Sequence, residues 1–115
     1  MLEANELRID IAEEFSRYPA GRGDTDGEFN GRRFRRDFLT PRLREAIMSG
    51  TKLCVNLEGV RSFGSSFLEE AFGGLVRDDA FTKRDILDHL NLTSEWAGYE
   101  RYKRAIRKYI EAAGR

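Results

Sequence analysis

Apolar and polar positions first alternate along this chain and then cluster. Leu7, Ile9 and Ile11 are separated by Arg8 and Asp10, the period of two expected of a half-buried strand. Leu53, Cys54, Val55 and Leu57 form a short apolar run fenced by Gly50 and Gly59. That run predicts a strand covered on both faces, paired with the first. Phe67, Leu68, Ala71, Phe72, Leu75 and Val76 fall within one half of a helix at about 100° per residue, which predicts a helix packed on the sheet. Gly73 and Gly74 lie off that stripe. Each costs about 0.5–1 kcal/mol against Ala inside a helix, so they mark either a helix end at Phe72 or a close approach of another backbone.

The remaining segments follow the same logic. Pro19, Gly21, Gly23, Gly27 and Gly31 punctuate residues 13–31, which reads as a long loop, a feature that is often functional. Helical spacing is expected over 32–39 and again over 41–49. Thr40 is placed to cap the second part, with Pro41 at its first position, so the segment is expected to kink or break near Thr40. Thr82 and Asp85 predict a capped short helix through Leu90, and Leu90 to Leu92 a short edge strand. Tyr99, Tyr102, Ala105, Ile106, Tyr109, Ile110 and Ala113 keep helical spacing, with Arg101, Arg104 and Lys108 as an outer stripe and Trp96 as a packing anchor at the start.

The candidate chemistry lies at the head of the central helix. Ser66 and Glu69 have the spacing of a capping box, which assigns Ser66 to the cap. Ser65 is then the freer hydroxyl, beside the end of the helix that favours an anion. Arg32, Arg33, Arg35 and Arg36 crowd one helix start, either as a solvated face or as an acceptor for phosphate or an acidic partner. Asp24, Asp26, Gly27 and Glu28 resemble a calcium loop only in composition, because the glycine comes too early and Arg35 stands where the closing glutamate belongs. His89, the only histidine, has no second histidine or cysteine near it in sequence, which excludes the usual zinc sites within one chain. No metal or cofactor is expected.

Size and charge narrow the function classes. At 115 residues the chain is expected to form one domain, residues 1–115, with a single core. Twenty basic and twenty acidic residues cancel, which argues against generic nucleic-acid or anionic-membrane binding. Cys54 lies in the apolar run and reads as a small core residue. Acidic residues in the first segment and the lack of a membrane-length apolar run point to a cytoplasmic protein.

The string from Asn56 to Leu75, NLEGVRSFGSSFLEEAFGGL, resembles the STAS-like domain family of unknown function, relatives of the sulphate-transporter and anti-sigma-factor-antagonist domain. The resemblance extends backward through DGEFNG and RFRRDFL. It implies a small α/β domain, a short mixed β-sheet flanked by helices. In anti-sigma-factor antagonists the matching segment carries D-S-S, and its first serine is phosphorylated by a partner kinase with a histidine-kinase-like ATP fold. Ser65 falls on that serine. Gly64 stands in place of the aspartate, and Phe67 in place of the small residue that commonly follows.

The resulting expectation is a non-enzymatic regulatory module of the partner-switch type that docks a protein, either a histidine-kinase-like ATPase or a serine kinase. Its candidate binding face comprises Gly64, Ser66, Glu69, Glu70, Gly73 and Gly74 around Ser65, with Arg32 and Arg36 as a second patch. Two alternatives belong to other classes. A small serine-dependent hydrolase or phosphate-binding enzyme needs a base and an oriented oxyanion site beside Ser65. A nucleic-acid adaptor would use Arg32 to Arg36 and bind with steep salt dependence.

Overall fold

The computed structural model describes residues 6–114. Strand β1, Leu7–Asp10, leads into a single helical turn, α1, Ile11–Glu14. Helix α2, Gly31–Phe34, runs through a π-helical turn, Arg35–Leu39, into α3, Thr40–Ser49. Strand β2 is Leu53–Asn56. Helix α4, Ser65–Leu68, likewise passes through a π-helical turn, Glu69–Gly73, into α5, Gly74–Arg77. Helix α6, Lys83–His89, strand β3, Leu90–Thr93, and helix α7, Glu100–Ala112, complete the fold.

The three strands lie in the order β1-β2-β3, and both pairings are parallel. The sheet is therefore parallel rather than mixed. Each connection between neighbouring strands carries helices, as a crossover between parallel strands requires. The register aligns Leu7, Leu53 and Leu90 in one row and Ile9, Val55 and Leu92 in another, and all six side chains belong to or pack against the core. The intervening row is Arg8, Cys54 and Asn91. It is polar at both ends, and Cys54, although buried, lies outside the core cluster. The β2 strand is thus not apolar on both faces. A run of three apolar letters, Leu53 to Val55, cannot by itself say that one of them faces a polar row.

Two sequence expectations about helix ends are corrected by the π turns. Thr40 does not cap: its N–H bonds to the Arg35 carbonyl five residues back, and the helix continues through it. Pro41 has no N–H to give to the preceding turn, and the wider turn accommodates that loss without a break. Similarly, the central helix does not end at Phe72 but runs on to Arg77. The added residue rotates everything after it, which places Gly73 and Gly74 in the interior rather than off the packed face.

Those glycines mark helix crossings. A Cβ on Gly73 would lie 3.4 Å from the Tyr109 carbonyl of α7, and one on Gly74 would lie 2.8 Å from the Arg35 guanidinium carbon. Gly31 makes the closest approach to another segment's backbone, where a Cβ would stand 2.6 Å from the Phe67 carbonyl. The crossing of α2 over α4 therefore depends on the missing side chain. Phe15, Phe34, Phe63, Phe67 and Phe72 pack around it with ring centroids about 5–6.4 Å apart.

Trp96 is 66% exposed and is no packing anchor. Tyr99 takes that role: its hydroxyl accepts from the Gly59 N–H and donates to the Val60 carbonyl at 2.7 Å. The Thr82 cap forms as expected, with the Asp85 N–H donating to its hydroxyl at 2.9 Å.

Candidate functional site

The expected loop over 13–31 is shortened at both ends by α1 and α2, and residues 15–30 form a compact folded segment that reaches the head of α4. Ala20 N–H donates to Phe29 carbonyl, and Gly31 and Arg32 N–H donate to the Gly21 and Arg22 carbonyls, so the two limbs close on each other. The Asp26 carboxylate accepts from the Arg22 and Gly23 N–H groups at 3.0 Å each. Those backbone bonds hold its carboxyl below the usual range. Asn30 caps α2 through the Arg33 N–H and donates to Asp24 and to the Gly27 carbonyl. The loop acids are thus engaged in shaping the loop itself. Among the described residues no group of three or more His, Cys, Asp or Glu side chains could hold a metal ion.

The loop rests against the α4 start. Gly64 N–H donates to the Pro19 carbonyl at 3.3 Å, and a Cβ on Gly64 would lie 3.6 Å from Ala20. Gly64, not Ser66, is the cap residue, and no side chain caps the helix. Ser65 and Ser66 are the first two residues inside it. The capping box does not form, because the helix begins at Ser65 with Gly64 as its cap and Ser66 is already inside it; Glu69 instead pairs with two arginines. Ser65 is exposed and Ser66 half-buried.

Glu69 and Glu70, adjacent in sequence, have different surroundings. Glu69 is paired with Arg22 and with Arg77, the latter at 2.6 Å. Burial pushes its carboxyl up, but the hydrogen bonds from Arg22 and Arg77 and their charges outweigh that and leave it below the usual range. The same contacts raise Arg22 and Arg77, chiefly through their hydrogen bonds to Glu69. Glu70 is only 5% exposed. It accepts from Arg35 Nη2 at 2.6 Å, while Arg35 Nε donates to the Glu70 backbone carbonyl at 3.1 Å and Arg35 Nη1 to Asp79 at 3.1 Å. Thr40 donates its hydroxyl to the same Asp79 carboxylate, and Asp78 closes the group at 3.4 Å from Arg35.

This arrangement sorts the residues singled out from sequence. Ser65, Gly64, Ser66 and Glu69 share the first turns of α4 and its π turn and lie at the surface or partly so. Glu70, Gly73 and Gly74 are buried and offer no face to a partner, because Arg35 covers Glu70 and Gly74 and α7 covers Gly73. Arg32 and Arg36 are exposed. They border a cleft of about 590 Å³ that also contains Arg44 and the buried Arg35. Arg36 is held by Asp37 at 3.0 Å. His89 bonds through Nδ1 to the Thr51 carbonyl at 2.7 Å.

Sequence reasoning missed Arg22, Arg77 and the Arg35, Asp78, Asp79 and Thr40 group. One signal was available: Gly74 follows Glu70 by four residues, so an open spot lies one turn beyond a carboxylate at the margin of an apolar stripe. That combination suits a guanidinium laid over a glycine. Nothing in the sequence says which arginine fills it.

The described residues contain no helix long and apolar enough to cross a membrane. No curated protein and no solved structure matches the chain. The family of STAS-like domains of unknown function matches residues 30–95, a span that includes the α2 crossing, the whole α4 to α5 helix with its two serines, and β2 and β3. The small α/β architecture agrees with that match, and the chain belongs to this family of STAS-like domains.

Proposed function

We propose that the domain is a non-enzymatic regulatory module that binds a protein partner and is switched by phosphorylation of Ser65. The observation that supports this reading is the placement of Ser65. Its side chain is exposed in the first turn of the α4 to α5 helix, and it lies four residues, about one turn, before Glu69. A phosphate there would add about −1.5 to −2 charges at neutral pH, beside helix N–H groups that receive anions. It would also compete with Glu69 for Arg22, whose guanidinium reaches across from the folded loop. The freed Glu69 carboxylate, and not a change of fold, would then alter the face offered to the partner. A histidine-kinase-like ATPase or a serine kinase fits the role of that partner.

The exposed Arg32 and Arg36 extend the proposed contact. Glu70, Asp78 and Asp79 at the base of their cleft are taken up by Arg35, so acidic side chains of the partner would meet Arg32, Arg36 and Arg44 at its rim.

The test is recovery of the chain from its own cells, with mass spectrometry of Ser65 and partner affinity of Ser65→Asp, Ser65→Ala and the Arg32→Ala/Arg36→Ala pair. A phosphate on Ser65, with Ser65→Asp changing partner affinity at unchanged Tm, supports the switch. Unmodified Ser65 together with wild-type affinity in both Ser65 variants rejects it.

A further inference from the structure

The two outer edges of the sheet are finished differently. In β1 the Leu7 N–H bonds to the Lys52 carbonyl, so Leu7 and Ile9 direct their backbone groups to β2, and Arg8 and Asp10 direct theirs outward. Side chains of the protein cover that edge. Arg42 Nη1 donates to the Arg8 carbonyl at 3.0 Å, and the Asp10 N–H donates to Glu14 at 2.9 Å. In β3 the Thr93 carbonyl accepts from the Leu57 N–H, so Asn91 and Thr93 face β2, and Leu90 and Leu92 face outward. The Leu90 N–H closes α6 through the Ile86 carbonyl. Among the described residues, the Leu90 carbonyl and the Leu92 N–H and carbonyl meet no side-chain cap of the kind that closes β1. An uncovered edge of this sort is a template for another strand.

A cleft of about 540 Å³ lies beside that edge, between α6 and α7. Ile86, Leu87, Leu90, Leu92 and Ile110 supply its apolar surface, and Leu87 is 75% exposed. Lys52, Lys83, Arg84 and Arg107 stand around it, all exposed. Glu111 is the one acid in the lining, and its backbone carbonyl receives Lys83 at 2.6 Å. Arg84 is paired with Asp88, whereas Lys52 and Arg107 form no ion pair among the described residues. In a chain whose net charge is zero, four cations around an apolar cleft make a local surplus that fits an acidic occupant.

We propose that the outer edge of β3 takes an extended acidic and aliphatic segment of a partner protein as a fourth strand. Main-chain bonds to Leu90 and Leu92 would hold it. Alternate side chains of the segment would enter the cleft, and its carboxylates would meet Lys52 and Arg107. Backbone pairing supplies affinity in this mode of recognition, and the pockets for alternate side chains supply specificity. The surface shares no residue with the Ser65 site.

The probe is a fluorescein-labelled synthetic peptide of alternating Glu and Val, titrated into the whole chain and read by anisotropy, with hydrogen exchange of the Leu92 amide followed in parallel. N-methylating only the Val amides or only the Glu amides separates backbone pairing from simple charge attraction, because one set faces β3 and the other faces away. The expected result is saturable binding with protection of Leu92. One of the two methylated peptides should bind at least about tenfold more weakly while the other is nearly unaffected, and Lys52→Glu/Arg107→Glu should weaken binding by about tenfold as well. Equal binding by both methylated peptides, exchange at Leu92 unchanged by the peptide, or no binding at all overturns the proposal. A dimer of the chain alone with Leu92 already protected overturns it too, since the edge would then belong to a second copy.

Discussion

The carboxylates of Glu69 and Glu70 belong to one ion-pair network, but they occupy opposite ends of the scale from movable to fixed. Glu70 and Arg35 are each nearly excluded from solvent, and Arg35 is further engaged by the Glu70 carbonyl and Asp79. Glu69 is partly exposed, and its partners Arg22 and Arg77 are more exposed still. The second oxygen of Glu70 also meets Arg22 at 3.2 Å and Arg77 at 3.4 Å, but the pair with Arg35 is walled off from water and separates only at the cost of a poorly hydrated charge. The outer group can exchange partners, because water is available to each member as it separates. A network with one fixed and one exchangeable half can respond to a new charge at Ser65 while the helix crossing at Gly31 stays in place.

The largest expected effect comes from breaking the inner half. Arg35→Ala or Glu70→Ala breaks the buried pair and leaves Glu70 to the partly exposed Arg22 and Arg77, or Arg35 to Asp78 and Asp79, and should lower stability by up to about 3–5 kcal/mol, read as the shift in urea midpoint. Glu69→Ala should cost only about 0–1 kcal/mol. Equal losses at the two glutamates would erase the distinction between them.

The outer half should show itself in acid. Glu69 titrates lower in the folded chain than in the unfolded one, so the folded state binds fewer protons there. Its contribution is therefore complete above the ordinary glutamate range, roughly pH 4–5, and is lost as pH falls through the lower folded value. The stability difference between wild type and Glu69→Gln, about 0.5–1 kcal/mol at neutral pH, should shrink below about pH 4. A difference that stays constant across that window would mean that Arg22 and Arg77 do not hold this carboxylate.

The smallest effect belongs to the serine beside the site. Ser66→Ala should change stability by no more than about 0.5 kcal/mol, because Gly64 holds the cap position. A loss of about 1 kcal/mol or more, the usual cost of removing a cap, would show that Ser66 caps the helix in solution. The Glu69 carboxylate would then be competing between the helix start and the two arginines.

The chain's own sequence determined the elements whose cause is local. Period two from Leu7, although the strand ends at Asp10 and Ile11 opens α1, the apolar run at Leu53 to Leu57, the stripe from Phe67 to Val76, the Thr82 cap and the long C-terminal helix all follow from the spacing of residues within a few positions of one another. The position of Ser65 at a loop-to-helix junction was legible for the same reason. Tertiary structure decided the rest. A π turn adds one residue to a helix and rotates all that follow it, so a wheel drawn at constant pitch misplaces Gly73 and Gly74. The pairing of Arg35 with Glu70 joins residues 35 apart, and it needs α2 to cross α4 at Gly31, which only folding brings about. The capping box had sound spacing but the wrong start, because the loop bond from Gly64 to Pro19 sets the cap at Gly64 and puts Ser66 inside the helix, leaving Glu69 to Arg22 and Arg77. Strand pairing then left β1 covered by Arg42 and Glu14 and β3 without such cover, a difference set by which helices pass each edge and not by the composition of either strand.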